Sequence, residues 1–152
     1  MAIGWPEYTD PARLEPALGE GVTVIAAHSG TKSGIVDPEF FGTFAALARK
    51  YPNCWGDTAA FTSPNRIRHV GRLLKDPEVL AKTLHGSDYP IPISAWASLG
   101  RIPLAEIRRI QALPSPLERD LRIKQAAGMP DAHFRTLGKL LPARTWTGRS
   151  AG

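Results

Sequence analysis

Val22-Thr23-Val24-Ile25-Ala26-Ala27 runs without a break into His28 and Ser29. The run is β-branched and continuous rather than alternating, which predicts a strand buried on both faces of a parallel sheet. Upstream, Asp10-Pro11 starts a short helix over 10–18 that Gly19 and Gly21 stop, with Pro16 limiting its regularity. Downstream, a polar loop from His28 to Gly34 leads to Asp37, an N-cap with Pro38 at the first helical position. Phe40, Phe41, Phe44, Leu47 and Ala48 then make a helical stripe that ends in Arg49 and Lys50.

Tyr51-Pro52-Asn53 breaks the chain ahead of a second strand over Cys54 to Thr58. A third helical region is divided by Asp76-Pro77, which starts a second piece running to Lys82. Thr83 to Asp88 is the third strand candidate, ended by Tyr89-Pro90. Beyond Pro103 the pattern is helical over 103–112, 115–127 and 131–141, the last stopped by Pro142. Ser115 and Glu118 have capping-box spacing at the start of the middle helix. The polar tail over 143–152 reads as a frayed end. Strands alternating with helices predict an α/β fold with a parallel sheet and right-handed crossovers.

At 152 residues a single domain is expected. Hydrophobic residues at 43% and charged residues at 22% exclude wholesale disorder and fibrous repeats. No apolar stretch approaches the ~18 residues of a membrane span, and the first cation is Arg13, so neither a membrane partner nor a secretory signal is expected. The lone Cys54 allows no internal disulfide and no cysteine-based zinc site, which leaves the cytoplasm as the expected compartment. Residues 1–100 carry a net charge of −1 and residues 101–152 a net of +6. That excess offers a nucleic-acid patch from Arg101, Arg108, Arg109, Arg119, Arg122 and Lys124. Their spacing through amphipathic helices, with no stacking aromatics, favours a solvated face instead.

Parallel α/β sheets carry their chemistry at the carboxyl ends of the strands. Those ends are His28-Ser29, Asp57-Thr58 and Ser87-Asp88, about 30 residues apart as βαβ units space them. His28 is a candidate general base or metal ligand, against a loop histidine bonded to backbone. Asp88, between Gly86 and Tyr89-Pro90, is a candidate metal ligand and proton acceptor, against a loop aspartate. Asp57 reads first as a cap for the following turn. Ser87 lies outside a nucleophile-elbow motif, no phosphate-loop pattern is present, and Cys54 opens its strand rather than ending it. His69, His85 and His133 have no histidine close in sequence, and Trp55 and Trp96 read as packing residues.

The segments "VTVIAAHSG" (22–30), "ALARKYPNCWGDTAAF" (46–61) and "HGSDYPIP" (85–92), with "ERDLRIKQAAGMPDAHFRTLGKLL" (118–141), resemble the last strands and closing helices of the amidohydrolase-related family. The resemblance runs from about Trp5 to Leu141. It implies a partial TIM barrel, the last three parallel βα units followed by C-terminal helices, over residues 1–142. It also implies a metal-dependent hydrolase or decarboxylase acting on a small carbonyl or carboxylate substrate. Asp88 would be catalytic and a ligand of a divalent ion, commonly zinc. His28 would polarise the substrate, and Asp57 and Ser87 would be minor substrate-binding positions. The sequence departs from that family in having no His-x-His pair, and three strands cannot close a barrel that typically takes about 250 residues. The expectation is therefore the C-terminal half of such an enzyme, inactive or nearly so by itself. Its open sheet edges would pair with a missing N-terminal half or with a second copy. The alternative is a non-catalytic binding or assembly module derived from such a barrel.

Overall fold

A computed structural model describes residues 8–32, 34 and 37–141. The positions over 1–7, Pro142 and the tail expected over 143–152 lie outside the described residues. The fold is mixed α/β. Three strands, β1 (Val24–Ala26), β2 (Cys54–Asp57) and β3 (Thr83–Leu84), form one sheet in the order β1-β2-β3 with both pairings parallel. Ile25 pairs with Trp55, and Asp57 with Leu84. Each strand is shorter than its apolar run because the chain turns away at the rim.

Helices separate the strands as the sequence predicts, with shifted boundaries. A 3-10 turn over Pro11–Leu14, capped by Asp10 accepting from the Ala12 amide at 2.9 Å, leads into α1 (Glu15–Gly19). Between β1 and β2 lies α2 (Phe41–Lys50). Asp37 does not cap it. Its carboxylate instead accepts from the Gly34 amide at 2.6 Å, so the helix begins only after Phe40. Between β2 and β3 come α3 (Arg68–Leu74) and α4 (Pro77–Leu80), the latter capped by Asp76. The C-terminal helices are α5 (Leu104–Gln111), α6 (Pro116–Ala126) and α7 (Thr136–Leu140). Ser115 caps α6 by accepting from the Glu118 amide at 3.3 Å.

The core forms where these layers meet. Phe44 from α2, Phe61, Val70 and Leu73 from α3, and Ile107, Ile110 and Ile123 from α5 and α6 are fully buried. Each such side chain contributes about 1.5–3 kcal/mol relative to exposure. The expectation of burial on both faces fails for β1. Ile25 is 42% exposed, because the strand is paired on one side only among the described residues.

Two positions report the tightness of the sheet. At Gly56, in the central strand, an added methyl would lie 2.6 Å from the Ser29 hydroxyl and would overlap the Phe44 ring. Neither neighbour can retreat: Ser29 Oγ donates to the Asp57 carbonyl at 2.7 Å, and Phe44 is fully buried. Gly56→Ala is therefore expected to destabilise the chain by about 1–3 kcal/mol in urea denaturation. An unchanged midpoint would show that the sheet has slack there.

The second is His133, 3% exposed, whose Nε2 lies 3.0 Å from Thr58 Oγ1 and Nδ1 3.3 Å from Thr83 Oγ1. Burial first, then His85 and Lys124, lowers its pKa from 6.5 to about 4. Above pH 6.5 the imidazole is neutral whether folded or unfolded. Between 6.5 and 4 the unfolded chain takes up a proton that the folded chain refuses, so stability falls by about 3 kcal/mol over that window and no further below it. His133→Gln should flatten this part of the stability profile. Parallel profiles for the variant and the parent chain would contradict the assignment.

Candidate functional site

The three strand ends converge on one rim. His28 follows β1, Asp57 closes β2, and Asp88 lies four residues past β3. His28 Nε2 is 3.6 Å from Asp88 Oδ2, and its Nδ1 is 3.8 Å from Asp57 Oδ1. All three side chains are partly open to solvent. The rim thus brings together His28 and Asp88, named from sequence as the reacting pair, with Asp57 beside them.

Backbone geometry places them. His28 (φ 53°), Ser29 (φ 51°), Ala60 (φ 56°) and Asp88 (φ 63°) are the non-glycine residues with left-handed backbones among those described, and all follow strand ends. Such conformations cost of order 1–3 kcal/mol each and persist only where the surroundings over-determine them. Asp57 is one such determinant: its Oδ1 accepts from the His28 amide at 2.9 Å and the Ala59 amide at 3.0 Å. It caps the following turn, as the sequence reading favoured, and it locks the turn that carries His28 as well. Ser87 serves a turn too, with its hydroxyl accepting from the Tyr89 amide at 3.3 Å and its carbonyl from the Ala60 amide at 3.3 Å.

His28 Nδ1 lies 3.3 Å from the Ala59 carbonyl, an acceptor, so the ring donates there and turns Nε2 toward Asp88. Arg66 lies buried nearby, donating from Nε to the Lys32 carbonyl at 3.0 Å. Burial lowers its pKa, opposed by the charges of Asp88, Asp57, Glu39 and Asp37, so a fixed cation counterbalances the rim carboxylates. A cavity of about 360 Å³ passes His28, walled by Pro11, Leu14, Ile25 and Phe40.

Whether these residues suit a divalent ion is a question of donor geometry. Two ligands about 2.0–2.1 Å from one tetrahedral zinc lie about 3.4 Å apart. The 3.6 Å between Nε2 and Asp88 Oδ2 matches two such corners. Asp57 Oδ1 is committed to two amides, and no group of three or more His, Cys, Asp or Glu side chains suited to a metal occurs among the described residues. The rim offers two corners of a cage and no third.

A second polar cluster lies behind the rim, where sequence reading placed a solvated cation. Lys124 is fully buried, donating to the Gly86 carbonyl at 2.6 Å and to Asp120 at 2.7 Å. Asp120, equally buried, also accepts from Thr62 at 2.8 Å. Burial raises the Asp120 pKa and lowers that of Lys124, and their mutual bond opposes both shifts. His85 Nε2 is 3.9 Å from Asp120, and burial, then Lys124, lowers its pKa to about 4. The rings of His85 and His133, 48 residues apart in sequence, stand 6.3 Å apart edge to face. The i, i+4 spacing of Asp120 and Lys124 was the available sign of this pair, but spacing alone does not distinguish a buried pair from a surface one.

Compared with protein-family models, with curated proteins and with solved structures, the chain finds no match in any of the three. A functional reading therefore rests on the resemblance of its segments and on the geometry of the His28–Asp57–Asp88 rim.

Proposed function

We propose that this chain supplies the His28–Asp88 part of a hydrolytic site of the amidohydrolase-related type, on the last three βα units of a TIM barrel, with further metal ligands coming from outside these residues. One observation carries the reading: an imidazole and a carboxylate from strand ends 60 residues apart in sequence face each other at 3.6 Å on one rim. Asp88, with His28 beside it, would hold the ion. When bound, a zinc ion lowers the pKa of water to about 7 and so supplies a nucleophile for a carbonyl-type carbon.

The chain's own residues do the rest. Asp88, partly exposed and fixed by its left-handed backbone, accepts the proton released at the rim. His28 donates from Nδ1 to the Ala59 carbonyl, which leaves Nε2 as the acceptor nitrogen turned into the same space, the form in which it would hold the ion beside Asp88. Asp57 touches no substrate in this scheme and holds the His28 turn through two amide bonds. The 360 Å³ cavity beside His28 would take a small carbonyl or carboxylate compound against its apolar wall.

If a full zinc site is worth about 10–16 kcal/mol, two of four donors supply about half, which is a micromolar to near-millimolar dissociation constant. Competition with a chromophoric chelator should give zinc affinity in that range, weakened by Asp88→Asn. One equivalent of zinc retained through dialysis would show a complete cage. Equal weak binding by Asp88→Asn would remove Asp88 from the site.

A second reading, a non-catalytic assembly module, is favoured by the outer edge of β1. Among the described residues that edge is unpaired, with Val22 51% and Ile25 42% exposed beside it. Exposed edges of this kind template pairing between copies. On that reading sedimentation velocity shows a concentration-dependent dimer that Ile25→Lys disperses. A monomer at all concentrations would exclude it.

A further inference from the structure

The geometry points to a second site, away from the rim: the groove between the start of α3 and the turn over residues 98–101 binds the phosphate group of a small phosphorylated molecule. The groove encloses about 590 Å³ and is lined by Arg68, Ser98, Leu99, Gly100 and Arg101, with no acidic side chain among its described walls. It does not depend on the hydrolytic reading.

Three features of the groove suit a dianion. The first is the placing of Arg101. Its guanidinium lies directly on α3 at Gly71, where an added methyl would overlap it. Gly71 is three residues after Arg68 on α3, and Arg68 and Arg101 both line the groove. Arg68 gives one Nη2 bond to Glu39 at 2.8 Å, whereas Arg101 has no carboxylate partner among the described residues. Arg68 thus already has its counter-ion in Glu39, and Arg101 is the cation of this groove left without one among the described residues.

The second feature is Ser98, only 1% exposed, whose Oγ finds no hydrogen-bond partner among the described residues. A buried hydroxyl left unsatisfied costs about 1–3 kcal/mol, and this one stands in the wall of a cationic groove. The third is the choice of a bare residue at position 71. Glycine inside a helix costs about 0.5–1 kcal/mol relative to alanine, and here its effect is to let a guanidinium rest on the backbone.

Guanidinium forks match the spacing of phosphate oxygens, and the unsatisfied Ser98 hydroxyl in the same wall is a further donor. A carboxylate has fewer acceptor oxygens than a phosphate and would meet fewer of these donors. The groove is far larger than a phosphate, and the exposed Leu99 beside it offers apolar contact to the body of the ligand.

The test uses the full chain with inorganic phosphate as probe, followed by amide NMR shifts at constant ionic strength. Saturable shifts confined to residues 67–72 and 97–102 are expected, with acetate binding more weakly. Arg101→Gln should weaken phosphate about tenfold or more. Gly71→Ala is the sharper variant: it should leave thermal stability unchanged or raised while weakening phosphate similarly, a combination that a merely structural role for Gly71 would not give. Shifts that chloride reproduces, or phosphate binding that Gly71→Ala leaves intact, would overturn the proposal. So would an oligothymidylate binding more tightly than phosphate with shifts spread over α5 and α6, which would make the face a diffuse nucleic-acid surface.

Discussion

Asp120 and Lys124 sit one turn apart on α6, both fully buried, and the segments that follow β2 and β3 supply the groups that satisfy them. Removing two such groups from water costs several kcal/mol each, and their attraction offsets this only if every remaining donor and acceptor finds a partner. Here those partners come from other elements. The Gly86 carbonyl beyond β3 takes a Lys124 proton, and the Thr62 hydroxyl beyond β2 donates to Asp120. A helix late in the chain is thereby bonded to two of the three strand ends. The sheet, with strands of only two to four residues, has too few ladder bonds to hold those ends by itself.

This bracing explains how the rim tolerates its backbone. Four non-glycine residues in left-handed conformations would together unfold a marginal chain were each not tied down by a specific bond. The Asp57 carboxylate fixes the His28 amide, the Ser87 carbonyl takes the Ala60 amide, and Ser29 Oγ holds the Asp57 carbonyl. The strained residues are those whose side chains or neighbours enter the candidate site, and the bonds that stabilise them link one strand end to the next. The His28 turn is therefore held by bonds that join β1 to β2, and Ser87, the neighbour of Asp88, is joined to Ala60.

Much of this was legible in the sequence, and the exceptions have identifiable causes. Strand positions and helix order follow from β-branched runs and proline punctuation, and the meeting of His28, Asp57 and Asp88 follows from parallel topology. Asp37 defeated the capping rule because the amide of Gly34 competes for the same carboxylate. Val22 to Ala27 looked buried on both faces because composition reports what a strand could bury, whereas Ile25 lies where neighbouring structure is absent among the described residues. Lys124 was read as solvated because a periodic pattern assigns cations to the outside. Its burial depends on a carbonyl 38 residues away that no local pattern encodes. His85 and His133 meet for a similar reason, through tertiary placement of a 3-10 turn against β3.

The same accounting changes the meaning of the net charge. The surplus of six in residues 101–152 suggests a basic face only if its members are equivalent. They are not. Lys124 is neutralised in the interior, Arg109 and Arg122 pair with Glu106 and Glu118, and Arg119 is turned inward onto the Ile93 and Leu113 carbonyls. Arg101 differs in kind, because it has no carboxylate partner among the described residues and its guanidinium lies beside the bare backbone of Gly71. What separates these cations is thus the set of neighbours each one meets in the fold, which their spacing in sequence does not give.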